Sequence, residues 1–527
     1  MTLAARSAVV CRSWRLGILA LTAGFVGSCG GSNPQQPPTP GTPIVTVTGG
    51  NNQSVTVGQP VPGPITVRVA DAAGTPFTNF EVRFLDGGFL VTNGTQRTDA
   101  QGNATLPGGS WTLRTTAGTQ TITAAIDGIQ GAEVTATGTP DVPVIVSIVS
   151  GDDQAGRVGT ALPILAVVAV LDQFNNPIPG ETAFFTTTDG TVPQTQVTTD
   201  ATGRASTTWT LGTSGANVLN AAIMVSGAGN LTRFFAVGTT TNYSIELVFL
   251  TPATIDQKTL FGNAAGLWTR VITSNIAGAD FSGNPKAANA CMFNEPALAR
   301  RVEDLLIYAR FEAIDGPGGI LAQAGPCFTG TDNKPVLGVM RFDTDDTLVD
   351  ATAVHEMGHV IGFLPDLWNL NAPGAFQNPS CGGTSGACNP DLAGANTHFA
   401  GSNARAAFNT LPGGPWTPSG TATSTVPLEN NVGAHGSRDS HWRESTFVNE
   451  LMTPIINAGA NPLSIVSGAL MVDLGYQVDF SQLFPYSLGN PTGIRAGTSG
   501  DVILVDDVLD IPLFVVDPKG RIIRQVR

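Results

Sequence analysis

Charge is scarce in this chain. Of 527 residues only 13% are Asp, Glu, Lys or Arg, and their balance is −14. No basic stripe or cluster stands out, which excludes a phosphate-backbone footprint and, with it, a nucleic-acid partner. Histidine is rare, with five in all, so each one counts as a candidate ligand. Six cysteines are present and none has the C-x-x-C spacing of a thiolate zinc site. Long apolar runs are also missing: the most apolar stretch, Leu16 to Val26, is too short to span a bilayer as a stable helix. Glycine (63) and proline (36) are plentiful, which suits turn-rich β structure better than long exposed helices. The length exceeds what one ordinary core organises, so three or four domains are expected.

The first specific signal is at the N-terminus. Arg6, Arg12 and Arg15 precede the apolar run, and Val26-Gly27-Ser28-Cys29 follows it. Basic residues, a short apolar core and small residues read as a cleaved export signal over residues 1–28. A cysteine at the cleavage point resembles the lipobox of bacterial lipoproteins, which implies lipidation of Cys29. The alternative is a plain secretory signal with an incidental cysteine. Residues 29–43 are rich in Gly, Pro and Gln and form a flexible tether. Gly30 is not the Asp that favours inner-membrane retention, so the resemblance implies a lipid-anchored protein of the bacterial cell envelope, at the outer membrane or cell surface. Four cysteines then remain for disulfides, with three pairings open. Pairing by proximity gives Cys291–Cys327 and Cys381–Cys388.

Two stretches of about a hundred residues repeat each other. Asp71-Ala72-Ala73-Gly74-Thr75-Pro76, FEVRFLDGG, TDAQGNAT and Trp111-Thr112-Leu113 recur as Asp172-Gln173-Phe174-Asn175-Asn176-Pro177, TAFFTTTDG, TDATGRAS and Trp209-Thr210-Leu211. Short Val, Thr, Ile and Phe runs between Gly, Asn, Asp and Pro turns mark all-β sandwiches. The pattern resembles bacterial Ig-like domains of the invasin and intimin type, over residues 44–140 and 141–240. From about residue 241 the texture changes to mixed helix and strand, which predicts a separate α+β domain over 241–485. Helices are expected in LFGNAAGLWTRVITSNI, in PALARRVEDLLIYARF, and from near Asp346 through HEMGHVIGF. Residues 366–440 lack periodicity and read as a long surface insertion. Residues 486–527 suggest short strands of unassigned role.

His355-Glu356-Met357-Gly358-His359 carries the chemistry. Residues four apart on a helix lie on one side, so both imidazoles can share one zinc ion. Glu356 lies beside the pair, free to act as general base toward a zinc-activated water. Gly362 permits a sharp turn after the helix toward a third ligand. Three positions after Gly362, where the commonest pattern of this kind places that ligand, the residue is Pro365. His398, His435 and His441 are the remaining choices.

Ser440-His441-Trp442-Arg443-Glu444, Asn449-Glu450-Leu451-Met452-Thr453-Pro454 and ALMVDLGYQVDF, taken with HExxHxxGF, resemble the leishmanolysin family of zinc metallopeptidases. So do the upstream IELVF, AAGLW and IDGPGGILAQAGPC segments, and the likeness covers about 240 residues, from Ser244 to Phe484. It implies a metzincin-like fold with His441 as third zinc ligand and Met452 as the Met-turn residue beneath the metal. His435 stays open as a competing ligand, and His398 is expected in a solvated loop. No cysteine is placed to act as a latency switch on the zinc. Asp343, Asp345 and Asp346 are expected to cap the following helix rather than bind calcium. Tyr476 reads as a packing residue. The expectation is therefore two Ig-like sandwiches followed by a zinc endopeptidase acting on protein or peptide substrates, with one catalytic Zn²⁺. The alternative is a surface adhesin in which the Ig-like pair binds a ligand and the peptidase domain is inactive or ancillary.

Overall fold

The structure is a computed structural model that describes residues 41–127, 129–225, 228–377, 397–412, 425–430, 432, 438–488 and 501–527. Cys29, Cys381, Cys388 and His435 lie outside the described residues. The chain divides into two compact units, one holding residues 1–113 and 119–137 and the other holding 114–118 and 138–527.

The first unit is a β-sandwich. One sheet has the order Gln53–Thr56, Ile129–Thr139, Gly118–Ile126, Glu81–Asp86, Phe89–Arg97, and the other Ile44–Gly49, Ile65–Ala70, Asn103–Leu106. Alternation drives it: Ile65, Val67 and Val69 are buried while Thr66, Arg68 and Ala70 are not, as a half-buried strand requires. Trp111 fills the space between the sheets with Phe84, Val82 and Ile122. The second unit opens with a sandwich of the same plan. Its five-stranded sheet has the order Gln154–Arg157, Ala228–Thr239, Gly215–Val225, Thr182–Thr187, Gln196–Thr198. The repeated aspartates explain the repeated motifs. Asp71 Oδ1 accepts the amides of Ala73 and Thr75 at 3.0 and 2.8 Å, and Asp172 Oδ1 those of Phe174 and Asn176 at 2.8 Å each. Each closes the same turn through its side chain.

The remainder of the second unit is a mixed α/β module. Its sheet uses β1 (Ile245–Phe249), β2 (Leu305–Glu312), β3 (Ala322–Thr329), β4 (Pro335–Asp343), β5 (Phe514–Val516) and β6 (Ile522–Gln525), in the spatial order β1-β2-β4-β3-β5-β6. β3 runs antiparallel to β4, β2 runs parallel to β1 and β4, and β5 runs parallel to β3 and antiparallel to β6. Helices α1 (Ile255–Val271) and α2 (Asp350–Ile361) pack together, with Trp268 of α1 donating its indole N–H to the Val354 carbonyl at 2.9 Å. Further on come α3 (Pro365–Asn371), α4 (Ser402–Thr410) and α5 (Ile465–Asp473). Cys291 and Cys327 are joined by a buried disulfide.

Several expectations are corrected here. PALARRVEDLLIYARF is not a helix, because Leu305–Glu312 is strand β2. Its residues from Leu305 to Ala309 are all buried, so both faces of the strand are covered and the apolar run carries no period-2 alternation. Helix α2 begins at Asp350, and its N-cap is Val349, so the Asp343 cluster does not cap it. Asp343 instead accepts the amides of Ile314, Asp315 and Asp345, at 3.1, 3.2 and 2.8 Å, and ties two loops together. Within residues 366–440 the described parts are ordered, with two helices and three short strands that pair as one sheet. His398 lies in one of those strands, half-buried, opposite Gln377 and Pro427 rather than in an open loop. The short strands expected within residues 486–527 are present, and two of them, β5 and β6, extend the main sheet of the module beyond residue 485.

Candidate metal centre

Helix α2 is buried on almost every side. Ala353, Met357, Val360 and Ile361 all sit in the module's core, so packing rather than exposed pairing holds this helix. Its first turn carries Asp350, whose charge suits the positive end of the helix dipole. Gly362 ends it, as expected, and packing explains why a glycine stands there. Its φ is −172°, and a Cβ there would meet Leu474 Cδ1 at 2.7 Å and Met471 Sδ at 2.9 Å. Close packing by α5 is what requires the glycine.

His355 and His359 project from one side of α2, and His441 meets them from the loop before Met452. The three Nε2 atoms lie 2.9, 3.0 and 3.1 Å from one another. His355 Nδ1 lies 2.6 Å from the Leu451 carbonyl and His359 Nδ1 2.7 Å from that of Phe363. Those carbonyls only accept, so the Nδ1 atoms of His355 and His359 carry the protons and their Nε2 lone pairs face the cluster. Burial, with the neighbouring imidazoles, pushes His355 down to about 4 against the contrary pull of Asp507, which favours the neutral rings a metal needs.

A fourth group closes the cluster. Asp507 Oδ2 stands 3.3 Å from His355 Nε2, 3.5 Å from His359 Nε2 and 2.8 Å from His441 Nε2. Burial works against an ionised Asp507, but the neighbouring imidazoles, His441 above all, outweigh it and hold the carboxyl well below its ordinary range. Nitrogen lone pairs converging on a carboxylate repel unless a cation lies among them. A tetrahedral zinc with bonds of about 2.0–2.1 Å has ligand-to-ligand edges of about 3.3 Å. The six edges found here run from 2.8 to 3.5 Å, so the donor set fits zinc in number, chemistry and spacing.

Glu356 is fully buried beside the rings, and neither carboxylate oxygen has a hydrogen-bond partner among the described residues. Burial, with Asp507 nearby, pushes its carboxyl well above the usual range. Such a carboxylate is costly unless it has a reacting partner to serve. Met452 lies under the site: a Cβ on Gly358 would meet its Sδ at 2.7 Å, so this sulfur packs directly on the ligand-bearing helix. Glu450 fixes that loop by accepting the Met452 amide at 2.6 Å, the Ser464 amide at 2.9 Å and the Ser467 hydroxyl at 2.5 Å. Tyr476 is buried and donates its hydroxyl to the Ile361 carbonyl at 3.0 Å, a packing role at the end of α2.

His355, Glu356, His359, His441 and Met452 are thus brought together. Asp507 and Glu450 went unread in the sequence. The signal for Asp507 was weak but present, as two consecutive acids inside the apolar run ILVDDVLDIPLFVV.

No family model matches the chain, and no protein with a curated description does. Solved structures do show likeness. The D0-D1 domain of intimin is 17% identical, covering 37% of this chain and 97% of that one, with a TM-score of 0.16. Invasin, a bacterial integrin-binding protein, is 21% identical over 38% of this chain and 40% of its own, with a TM-score of 0.20. InvD of Yersinia pseudotuberculosis is 19% identical over 40% of this chain and 60% of its own, with a TM-score of 0.26. These likenesses concern fold, and none of the comparisons supports the peptidase resemblance. Among the described residues no helix is long and apolar enough to cross a membrane.

Proposed function

We propose that the α/β module is a zinc-dependent endopeptidase, with His355, His359 and His441 as metal ligands and Glu356 as general base. The observation that carries this reading is the buried, unpartnered Glu356 carboxylate beside three converging imidazole lone pairs. Bound zinc supplies Lewis acidity, lowering the pKa of water and polarising a carbonyl. Glu356 takes the proton of the attacking water at a carboxylate oxygen and passes it to the departing amine. The carbonyls of Leu451 and Phe363 hold two of the rings in one tautomer, and Met452 and Glu450 fix the loop that delivers His441. Metal analysis of the purified chain, with cleavage of an unfolded protein substrate, tests this. One zinc per chain and cleavage lost in Glu356→Gln are expected; a chain that binds no zinc sinks the reading.

The sandwiches favour a second role, binding at a cell surface. Phe89 and Leu90, 81% and 55% exposed, stand at the turn of a hairpin in the first sandwich, where a large apolar pair suits a partner better than water. Export agrees with both roles, since the buried Cys291–Cys327 disulfide suits an oxidising compartment. Lipid attachment through Cys29 would hold both activities at the envelope. Loss of membrane association in Cys29→Ser is its test.

A further inference from the structure

The ligand cluster contains one residue that neither α2 nor the Met452 loop supplies, and it comes from the last segment of the chain. That segment is fastened backbone to backbone. The Leu504 amide donates to the Pro454 carbonyl at 2.8 Å, the Ala324 amide to the Asp507 carbonyl at 2.8 Å, and the Leu509 amide to the Ala324 carbonyl at 2.9 Å. The Gln323 side-chain amide donates to the Asp506 carbonyl. The last three bonds lay residues 506–509 along β3, and β5 continues the pairing at Phe328–Phe514 and Thr329–Val515. Without β5 and β6, β3 would be the edge of the sheet.

An open strand edge beside a hydrolytic centre is where an extended peptide docks through main-chain hydrogen bonds. Here the chain's own C-terminal segment occupies it. His355, Glu356, His359, His441 and Asp507 are each 0% exposed, so no polymer reaches them in this arrangement. A hydrolytic zinc keeps one position for water or substrate, whereas four protein ligands make a closed site.

We infer that residues 501–527 form an inhibitory strap, with Asp507 Oδ2 taking the metal position that catalysis needs open and the segment covering the β3 edge where substrate would pair. This rests on the zinc-peptidase reading above. Tethering gives the Asp507 carboxylate an effective concentration that free carboxylates in solution do not reach. Leu513, fully buried with Leu364, Leu367 and Val508, anchors the strap away from the ligands. At its far end all four residues of β6 are exposed.

The test uses the full chain, zinc-loaded, in four forms: the parent, Asp507→Ala, Leu513→Asp, and Asp507→Ala combined with Glu356→Gln. Two quantities are read: the rate of zinc release to excess chelator, and cleavage of an unfolded protein. Asp507→Ala should keep one zinc yet release it at least about tenfold faster than the parent. Both single variants should cleave at least about tenfold faster than the parent, with that gain gone in the double variant. Leu513→Asp loosens the strap without touching the ligands, so a gain there cannot come from altered metal chemistry. A zinc-free Asp507→Ala overturns the inference, because Asp507 is then an obligatory structural ligand. A parent that cleaves as fast as both variants overturns the strap alone and leaves the peptidase reading standing. Zinc-loaded proteins of which none cleaves overturn both.

Discussion

The amide of Trp442 donates to the carbonyl of Met452 at 2.9 Å. That single bond ties the residue after His441 to the residue beneath the candidate metal centre, so the third imidazole and its support move together. Trp442 is itself locked, its indole N–H on the Ser467 hydroxyl at 2.8 Å, and Ser467 in turn donates to Glu450. The third imidazole is therefore held by a chain of buried hydrogen bonds running back to α5.

Glu356→Gln should leave fold and zinc content unchanged, since among the described residues the side chain has no hydrogen-bond partner for the amide to lose. Losing the proton acceptor should lower turnover by about 10²–10⁴-fold. Turnover is best compared in the background that shows most activity. A zinc-replete Gln variant with undiminished turnover removes Glu356 from the mechanism.

His441→Ala should hold zinc much more weakly, because one of three imidazoles is gone and only two, with Asp507, remain to bind it. His435→Ala should retain close to stoichiometric zinc. Metal analysis of both, with folding checked by circular dichroism, decides between them. The opposite pattern would transfer the third-ligand role to His435.

Gly358→Ala places a methyl 2.7 Å from Met452 Sδ and 3.2 Å from Trp268 Cζ2. The methionine can shift but the tryptophan, bonded to Val354, resists. Overpacking of this kind costs about 1–3 kcal/mol, read as a lower denaturant midpoint. Zinc release should also quicken, because the loop that is displaced carries His441. An unchanged midpoint and release rate would mean that Met452 does not brace the helix.

Lys258 joins the second sandwich to α1 through Asp152 and Asp153, at 2.8 and 2.7 Å. Burial, with Asp152 beside it, raises Asp153 to about 6 from its ordinary 3.8. Its contribution to stability is therefore fully present below about pH 4 and is lost as pH rises through about 6. Lys258→Met leaves two half-buried carboxylates unpaired, at a cost of about 1–3 kcal/mol near neutral pH. The deficit should shrink at pH 4–5, where protonation replaces the missing lysine. Urea midpoints of parent and variant at pH 4.5 and 7.5 measure this; an equal deficit at both counts against the charge argument.

Local chemistry determined much of this protein. The two sandwiches follow from alternation and from Asp turns whose partners lie two and four residues away, so the repeat was legible without any tertiary information. His355 and His359 share a face because a helix places every fourth residue there, and that too is written in five consecutive letters. The Cys291–Cys327 pairing, drawn from proximity alone, is the one found. What the tertiary structure alone decided depends on contacts between segments far apart in sequence. Leu305–Ala309 is a strand because both its faces are covered by other elements, and its apolar run does not distinguish that from a buried helix. Gly362 is small because α5 packs against it, a demand invisible in its neighbours. Asp507 reaches the histidines from 152 residues beyond His355, carried there by the pairing of its segment with Ala324 of β3. No local rule predicts that pairing, because a sheet edge accepts a strand by backbone hydrogen bonds that are nearly indifferent to side chain.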